Sequence, residues 1–187
     1  MTTATKNPCK INTGVVRLSY AHIWEPKSIN GSEPKYSVSV IVPKTDTATI
    51  ARIEAAIEEA KQQGKSKVFG GTIPKKLKTP LRDGDEEKDD EVYAGSFFFN
   101  ANSSKAPGIV DLSRKPITDE EEVYSGCYAR VSATFYPFNV NGNVGIAAGL
   151  NNLQKTRDGE RLGGRSSAED DFNDGFEPDY TEEFDFL

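Results

Sequence analysis

The chain has one histidine, one tryptophan, one methionine and two cysteines among 187 residues. No Ser or Cys partner can be placed beside the lone histidine, His22, so a packed or edge histidine is expected rather than a catalytic one. Cys9 and Cys127 stand far apart without metal-type spacing and read as reduced thiols. There is no Gly-rich phosphate loop, no His/Cys metal constellation and no nucleophile elbow. Catalysis, a cofactor and a bound metal are therefore not expected. No run approaches the roughly 18 apolar residues that span a bilayer, and the opening MTTATKNPCK has no apolar signal region. The chain is expected to be soluble, to avoid membranes and to stay where it is made. The apolar fraction of 36% is low, which places part of the chain outside any core. Internal repeats are lacking too.

Acid is abundant but uneven. Residues 168–187, AEDDFNDGFEPDYTEEFDFL, hold nine of the 29 acids and none of the 23 Lys and Arg, leaving 23 bases against 20 acids before them, or +3. Two further clusters are DGDEEKDDE at 83–91 and DEEE at 119–122; without them, 22 bases face nine acids, or +13. A pI near 5.0 thus averages a basic body and three acidic segments.

Segments 15–24 (VVRLSYAHIW) and 36–44 (YSVSVIVPK) alternate and are rich in β-branched and aromatic residues, so both read as strands. Residues 46–63 form the one convincing helix: Ile50, Ile53, Ile57 and Ala60 share a stripe, Asp46 or Thr47 can cap it, and Gly64 can end it. The following GGTIPKKLKTPLRDGDEEKDDE lacks periodicity and reads as a long exposed loop. Its acids could hold a divalent metal, as a nuclease needs, but seven crowded carboxylates off rigid elements fit a solvated loop better. Strand patterns resume at 93–103 and 108–112, and 128–138, the turn NVNGN and 144–150 make a β-hairpin. KTRDGERLGGRSS at 155–167 is a basic, Gly-rich exit. Five or six strands with one helix suit an OB-type barrel, another Greek-key barrel or an α+β sheet; the central helix and long loops favour the OB type.

The segment 128–138 carries the clearest functional signal. Ala129, Val131, Ala133 and Phe135 make a small apolar face; Tyr128, Arg130, Ser132, Thr134, Tyr136 and Phe138 make the other. Rings alternating with cations suit single-stranded nucleic acid, because bases stack on aromatic faces for about 1–3 kcal/mol each. Phosphates then require Lys and Arg nearby. Lys75, Lys76, Lys78, Arg82, Lys105, Arg114, Lys115, Lys155, Arg157, Arg161 and Arg165 can supply them. The competing reading is an ordinary outer barrel face covered by a loop or another subunit. Trp24 and Tyr20 share a face with Val16 and Leu18, which favours the core for both. Phe98 points opposite to Phe97 and Phe99, so one or two of these rings leave the core.

The stretches FFFNANSSKAPGIVDLSRKPI and YSGCYARVSATFYPFNVNGNVGIAAGLNNLQKTRDGERLGGRSSAEDDF resemble a phage family of single-stranded DNA-binding proteins, long known only as a domain of unknown function. The family is itself remotely similar to replication single-strand-binding proteins of other tailed phages. The resemblance runs from about Lys10 to the acidic end. It implies an OB-fold that binds single-stranded DNA without strong sequence preference in phage replication, recombination or repair, in the cytoplasm of an infected bacterium. It also implies a disordered acidic tail that contacts phage or host replication proteins and competes with DNA; here the chain closes on Phe184, Asp185, Phe186 and Leu187, one residue past the last Phe.

The expected organisation is a flexible start at 1–9, an OB-fold at 10–155, a linker at 156–168 and the tail at 169–187. The expected DNA contacts are Tyr128, Arg130, Tyr136, Phe138, Phe97, Phe98, Phe99 and Trp24 for stacking, with Lys75, Lys76, Lys78, Lys105, Lys155, Arg130 and Arg157 for phosphates. A homodimer that covers open barrel edges is compatible with this pattern. The rival from another class is an acidic protein-binding adaptor or DNA mimic without DNA affinity.

Overall fold

Alternation places the first two long strands where it should. In this computed structural model, which describes residues 6–28, 31–163 and 168–178, β1 (Lys10–Asn12) is followed by β2 (Val16–Lys27) and β3 (Lys35–Pro43). The latter two are antiparallel, with Leu18 opposite Val40. Helix α1 (Thr47–Lys67) starts at Asp46, whose Oδ1 accepts from the Thr49 N–H at 3.1 Å. It does not stop at Gly64 as expected. That glycine is buried inside the helix, and a Cβ there would lie 2.6 Å from Pro137 Cβ, so it permits close packing rather than capping. The chain turns instead at Gly70 and Gly71, both at positive φ.

The remaining elements are β4 (Arg82–Asp83), α2 (Gly84–Glu87), a 3-10 turn (Glu91–Tyr93), β5 (Ser96–Ser103), β6 (Gly108–Val110), a second 3-10 turn (Glu120–Glu122), β7 (Tyr128–Val140), β8 (Asn143–Arg157) and the short α3 (Ala168–Asp171). Asn141 and Gly142, both at positive φ, make the β7–β8 turn that the sequence announces. Going round the sheet, β2, β3, β5, β8 and β7 each pair with the next, and β7 returns to β2. Only the β5–β8 contact within this ring is parallel. This is a closed five-stranded barrel of OB type. β1 continues the wall along β7 beyond β2, and β6 does the same along β8 beyond β5. Where β5 and β8 do not pair, β4 hydrogen-bonds to β5 and Lys78 bridges to Gly145.

The core is the inward set of these strands: Val38, Val40 and Val42; Phe99 and Ala101; Ile146, Ala148, Leu150 and Leu153. Ala129, Val131, Ala133 and Phe135 are all buried, as alternation requires. Ile53, Ala56, Ile57 and Ala60 of α1 pack on the same cluster.

The segment after α1 departs from the expected solvated loop. Asp83 and Asp85 both grip the Lys44 ammonium at 2.8 Å, and Asp85 also accepts from the Gly95 N–H at 2.9 Å. Tyr93 folds inward and is buried with Ile41 and Phe98 in a second small cluster. Burying one such side chain stabilises by about 1.5–3 kcal/mol, which adds to the Lys44 clasp and the Gly95 hydrogen bond in seating the flap. The acids at 83–91 are therefore part of a folded flap over the outer face of β3 and β5.

Candidate nucleic-acid interface

The outer face of β3 and β5 is polar beyond the flap. Ser37 and Ser39 pair with Asn102 and Asn100, and all four stand opposite the inward valines. One neighbour of this face breaks the alternation rule. In β2, Ser19 pairs with Ser39 but His22 pairs with Ser37, so β2 carries one extra residue. Tyr20 adopts φ 45° at this bulge, and the Ala21 N–H is pinned by Ser125 Oγ at 2.9 Å. Such a bulge reverses which face each later residue takes. Tyr20, expected in the core, is 62% exposed, while Ile23 turns inward. The cause is local, in the backbone of the bulge.

Around Tyr20 a cleft forms from Lys27, Ser32, Glu33 and Lys35 at the β2–β3 loop, Ser37 and Ser39 on β3, Asn100 and Asn102 on β5, and Lys88 and Tyr93 from the flap. The Lys88 ammonium sits 5.7, 5.4 and 5.5 Å from the ring centres of Tyr20, Tyr93 and Phe98. Tyr93 stands edge-on to Phe98 at 5.1 Å and donates its hydroxyl proton to Ser39 Oγ at 3.0 Å. His22 lines the same cleft. Burial first, and the Lys27 charge second, hold its pKa below the ordinary value, so the ring stays neutral at pH 7. The result is an exposed ring, three ammonium groups against the one Glu33 carboxylate, and a floor of amides and hydroxyls. In the OB architecture this strand face, with its flanking loops, is where oligonucleotides lie.

The residues that the sequence singled out disperse. Phe98 and Phe99 are buried at 1% and 0%, Phe98 under the flap and Phe99 against Phe135 inside the barrel, so neither offers a face to a ligand. Phe97 is half-buried with the Lys44 ammonium 5.2 Å from its ring. Trp24 packs on the core, and its indole N–H donates to the Val123 carbonyl at 2.9 Å. On β7, Tyr128 lies between Arg157 at 3.9 Å and Arg17 at 5.6 Å. Tyr136 is 41% exposed and Phe138 half-buried, over Gly149 and Gly145 respectively. Eight residues of strand, about 26 Å, separate Tyr128 from Tyr136, so the two rings cannot stack on the same base. Lys155 is half-buried and ion-paired with Asp158, and Arg157 is exposed at its edge of the sheet. Arg130 is exposed, its Nε–H donating to the Thr13 carbonyl at 3.0 Å.

Lys75, Lys76 and Lys78 are exposed, and the Lys78 backbone ties them beside the β7–β8 hairpin. Lys105 is exposed just past Ser103, which pairs with Tyr36 at the end of the sheet where Lys35 sits. Phe184, Asp185, Phe186 and Leu187 lie outside the described residues. The sequence concealed Tyr20 and the lysines Lys27, Lys35 and Lys88, because a bulge and a flap, rather than a periodic pattern, bring them together.

Comparison with known proteins agrees with this architecture. The family pattern described as the Enterobacter phage Enc34 ssDNA-binding protein matches residues 9–186. Protein p50 of Acyrthosiphon pisum secondary endosymbiont phage 1 is 31% identical over 173 residues, covering 88% of this chain and 93% of that one. The single-stranded DNA-binding protein from bacteriophage Enc34, solved in complex with ssDNA, superposes with a TM-score of 0.74 at 26% identity over 83% of this chain and 90% of its own. The gp2.5 single-stranded DNA-binding protein of bacteriophage T7 shares the fold, with a TM-score of 0.59 at 18% identity over 90% and 94%. The chain therefore belongs to the Enc34 family of phage single-stranded DNA-binding proteins.

Proposed function

We propose that this protein binds single-stranded DNA, without strong sequence preference, across the outer face of β2, β3 and β5 during phage DNA replication. The observation that carries the reading is Tyr20, turned outward by the β2 bulge amid Lys27, Lys35 and Lys88 over a Ser/Asn floor. Tyr20 stacks on a base, the three lysines hold phosphates, and Asn100 and Asn102 meet base or sugar edges without selecting a sequence. Lys105 extends the cationic path at one end, and Lys75, Lys76 and Lys78 at the hairpin end. The protein acts by binding alone, in the cytoplasm of the infected host. The acidic segment 169–187 competes with DNA for this cleft and recruits replication proteins, with homodimerisation as an accompanying expectation.

Fluorescence titration with an oligo-dT of about 30 nucleotides at low salt tests the reading. Tyr20→Ala should weaken binding by about 1–3 kcal/mol, the range for loss of one aromatic–base stack. A wild-type protein that binds no single strand, with or without its tail, would instead favour the acidic-adaptor reading.

A further inference from the structure

The side of the barrel away from the cleft carries a second cationic surface. There β7 and β8 run side by side, flanked by β1 along β7 and β6 along β8. Lys10, Arg114 and Arg130 line the resulting groove with Ser132, Asn152 and Gln154, and among the described residues no acidic side chain lines it. The groove continues past β1 to Arg52, again without an acid in its lining among the described residues.

Two of these cations are set in place by backbone. Arg130 Nε–H donates to the Thr13 carbonyl at 3.0 Å, and Arg52 Nη1 donates to the Asn12 carbonyl at 3.0 Å. These bonds aim the guanidinium groups from either side of the end of β1 and leave most of their five N–H donors free. Among the described residues none of Lys10, Arg52, Arg114 and Arg130 is in a salt bridge, whereas Lys44, Lys155 and Arg161 are. Holding four unpaired cations in one groove is electrostatically unfavourable without an anion, and the neighbouring amides and hydroxyls are the groups that accompany Arg and Lys on phosphates. Among the described residues no aromatic ring lines the groove, so they offer bases nothing to stack on. A protein interface core, by contrast, is enriched in Tyr, Trp, Phe and Met.

We infer that the β1–β7–β8–β6 groove is a second nucleic-acid site that binds the phosphodiester backbone, not the bases, of a strand outside the cleft. The inference rests on the single-strand-binding reading above. Two sources share this chemistry: the continuation of the strand held at Tyr20, wrapped round the barrel, or a separate strand.

The test uses the full-length protein and a Lys10→Gln/Arg114→Gln variant, both positions exposed, with a thermal melt to confirm folding. Salt-dependent titrations are run with oligo-dT of about 8 and about 30 nucleotides, within and beyond the span of a single OB-fold. If one strand wraps, the variant's log–log salt slope falls by about 1.4 on the long strand, about 0.7 per lost phosphate contact, and is unchanged on the short one. If the groove takes a separate strand, both slopes hold, but protein saturated with the short oligonucleotide no longer captures a second labelled strand. Unchanged slopes together with unchanged capture overturn the groove while leaving the cleft standing. A wild-type protein that binds neither length overturns both. Tyr20→Ala serves as the control that weakens binding of the short strand and keeps the folded barrel.

Discussion

His22 reports on the cleft because it is the only histidine in the chain. Burial and Lys27 hold its pKa low, and both effects act against the charged ring. A phosphate backbone entering beside it does the opposite, so the pKa should rise on binding. The complex then holds more protons than the free protein in the window between the free and bound values. Affinity should therefore strengthen as pH falls through that window, by up to tenfold per unit of difference. The imidazole Hε1 resonance, followed through a pH titration with and without saturating oligo-dT, reads this directly. An unchanged or lowered value would place the backbone elsewhere. The same residue marks a limit of sequence reading. His22 and Tyr20 look like ordinary members of an alternating strand, and only the inserted residue between Ser19 and His22 swings Tyr20 outward. Nothing in one sequence announces a bulge formed without glycine or proline.

At the level of elements, the regular parts were legible and the tertiary ones were not. Strands β2, β3, β5 and β7, the helix and the Asn141–Gly142 turn follow from period and turn chemistry. β1 is only three residues long, and the polar second half of β8, NNLQKTR, is held by pairing to β6 and β7 rather than by its own pattern. The seating of the acidic flap is hidden for the same reason: its apolar anchor is only Tyr93 with Val92 beside it, and its polar anchor is distant in sequence, Lys44. Gly84 is where the flap can be tested. A Cβ there would meet the Tyr93 carbonyl at 2.3 Å and the Ser96 carbonyl at 2.7 Å, both backbone atoms that cannot swing aside. Gly84→Ala should therefore cost about 1–3 kcal/mol, the scale of an overpacked site, visible as a lower urea midpoint. It should also displace Lys88 from Tyr20 and weaken single-strand binding. Full stability in the variant would mean the flap is not seated as described. The clasp has a pH sign as well. Lys44 holds the Asp83 and Asp85 carboxyls below their usual range, so its contribution is complete above that range and is lost as pH falls through the lowered values.

For the whole molecule, charge placement decides the behaviour. A chain of formal charge −6 would repel DNA if the charge were spread evenly, but the nine acids of 168–187 leave +3 on everything before them. The described run 31–163 ends beside the cleft: Leu162 and Gly163 line a pocket shared with Tyr20, His22 and Lys27, and the Leu162 N–H donates to the Ser125 carbonyl at 2.9 Å. The acidic segment is thus rooted within a few residues of the proposed DNA site. Phe172 and Phe176 are exposed at 80% and 78%. An anion tethered so closely acts at an effective concentration of about millimolar order, so even weak affinity for the cleft keeps it partly occupied. Deleting 169–187 should therefore raise single-strand affinity. The gain should be largest near 0.01 M salt, where the Debye length is about 30 Å, and should shrink near 0.15 M, where it is about 8 Å. Titration of full-length and truncated protein with oligo-dT across that range checks both the sign and the salt trend. Affinity that stays the same or falls on deletion would remove the tail from the cleft.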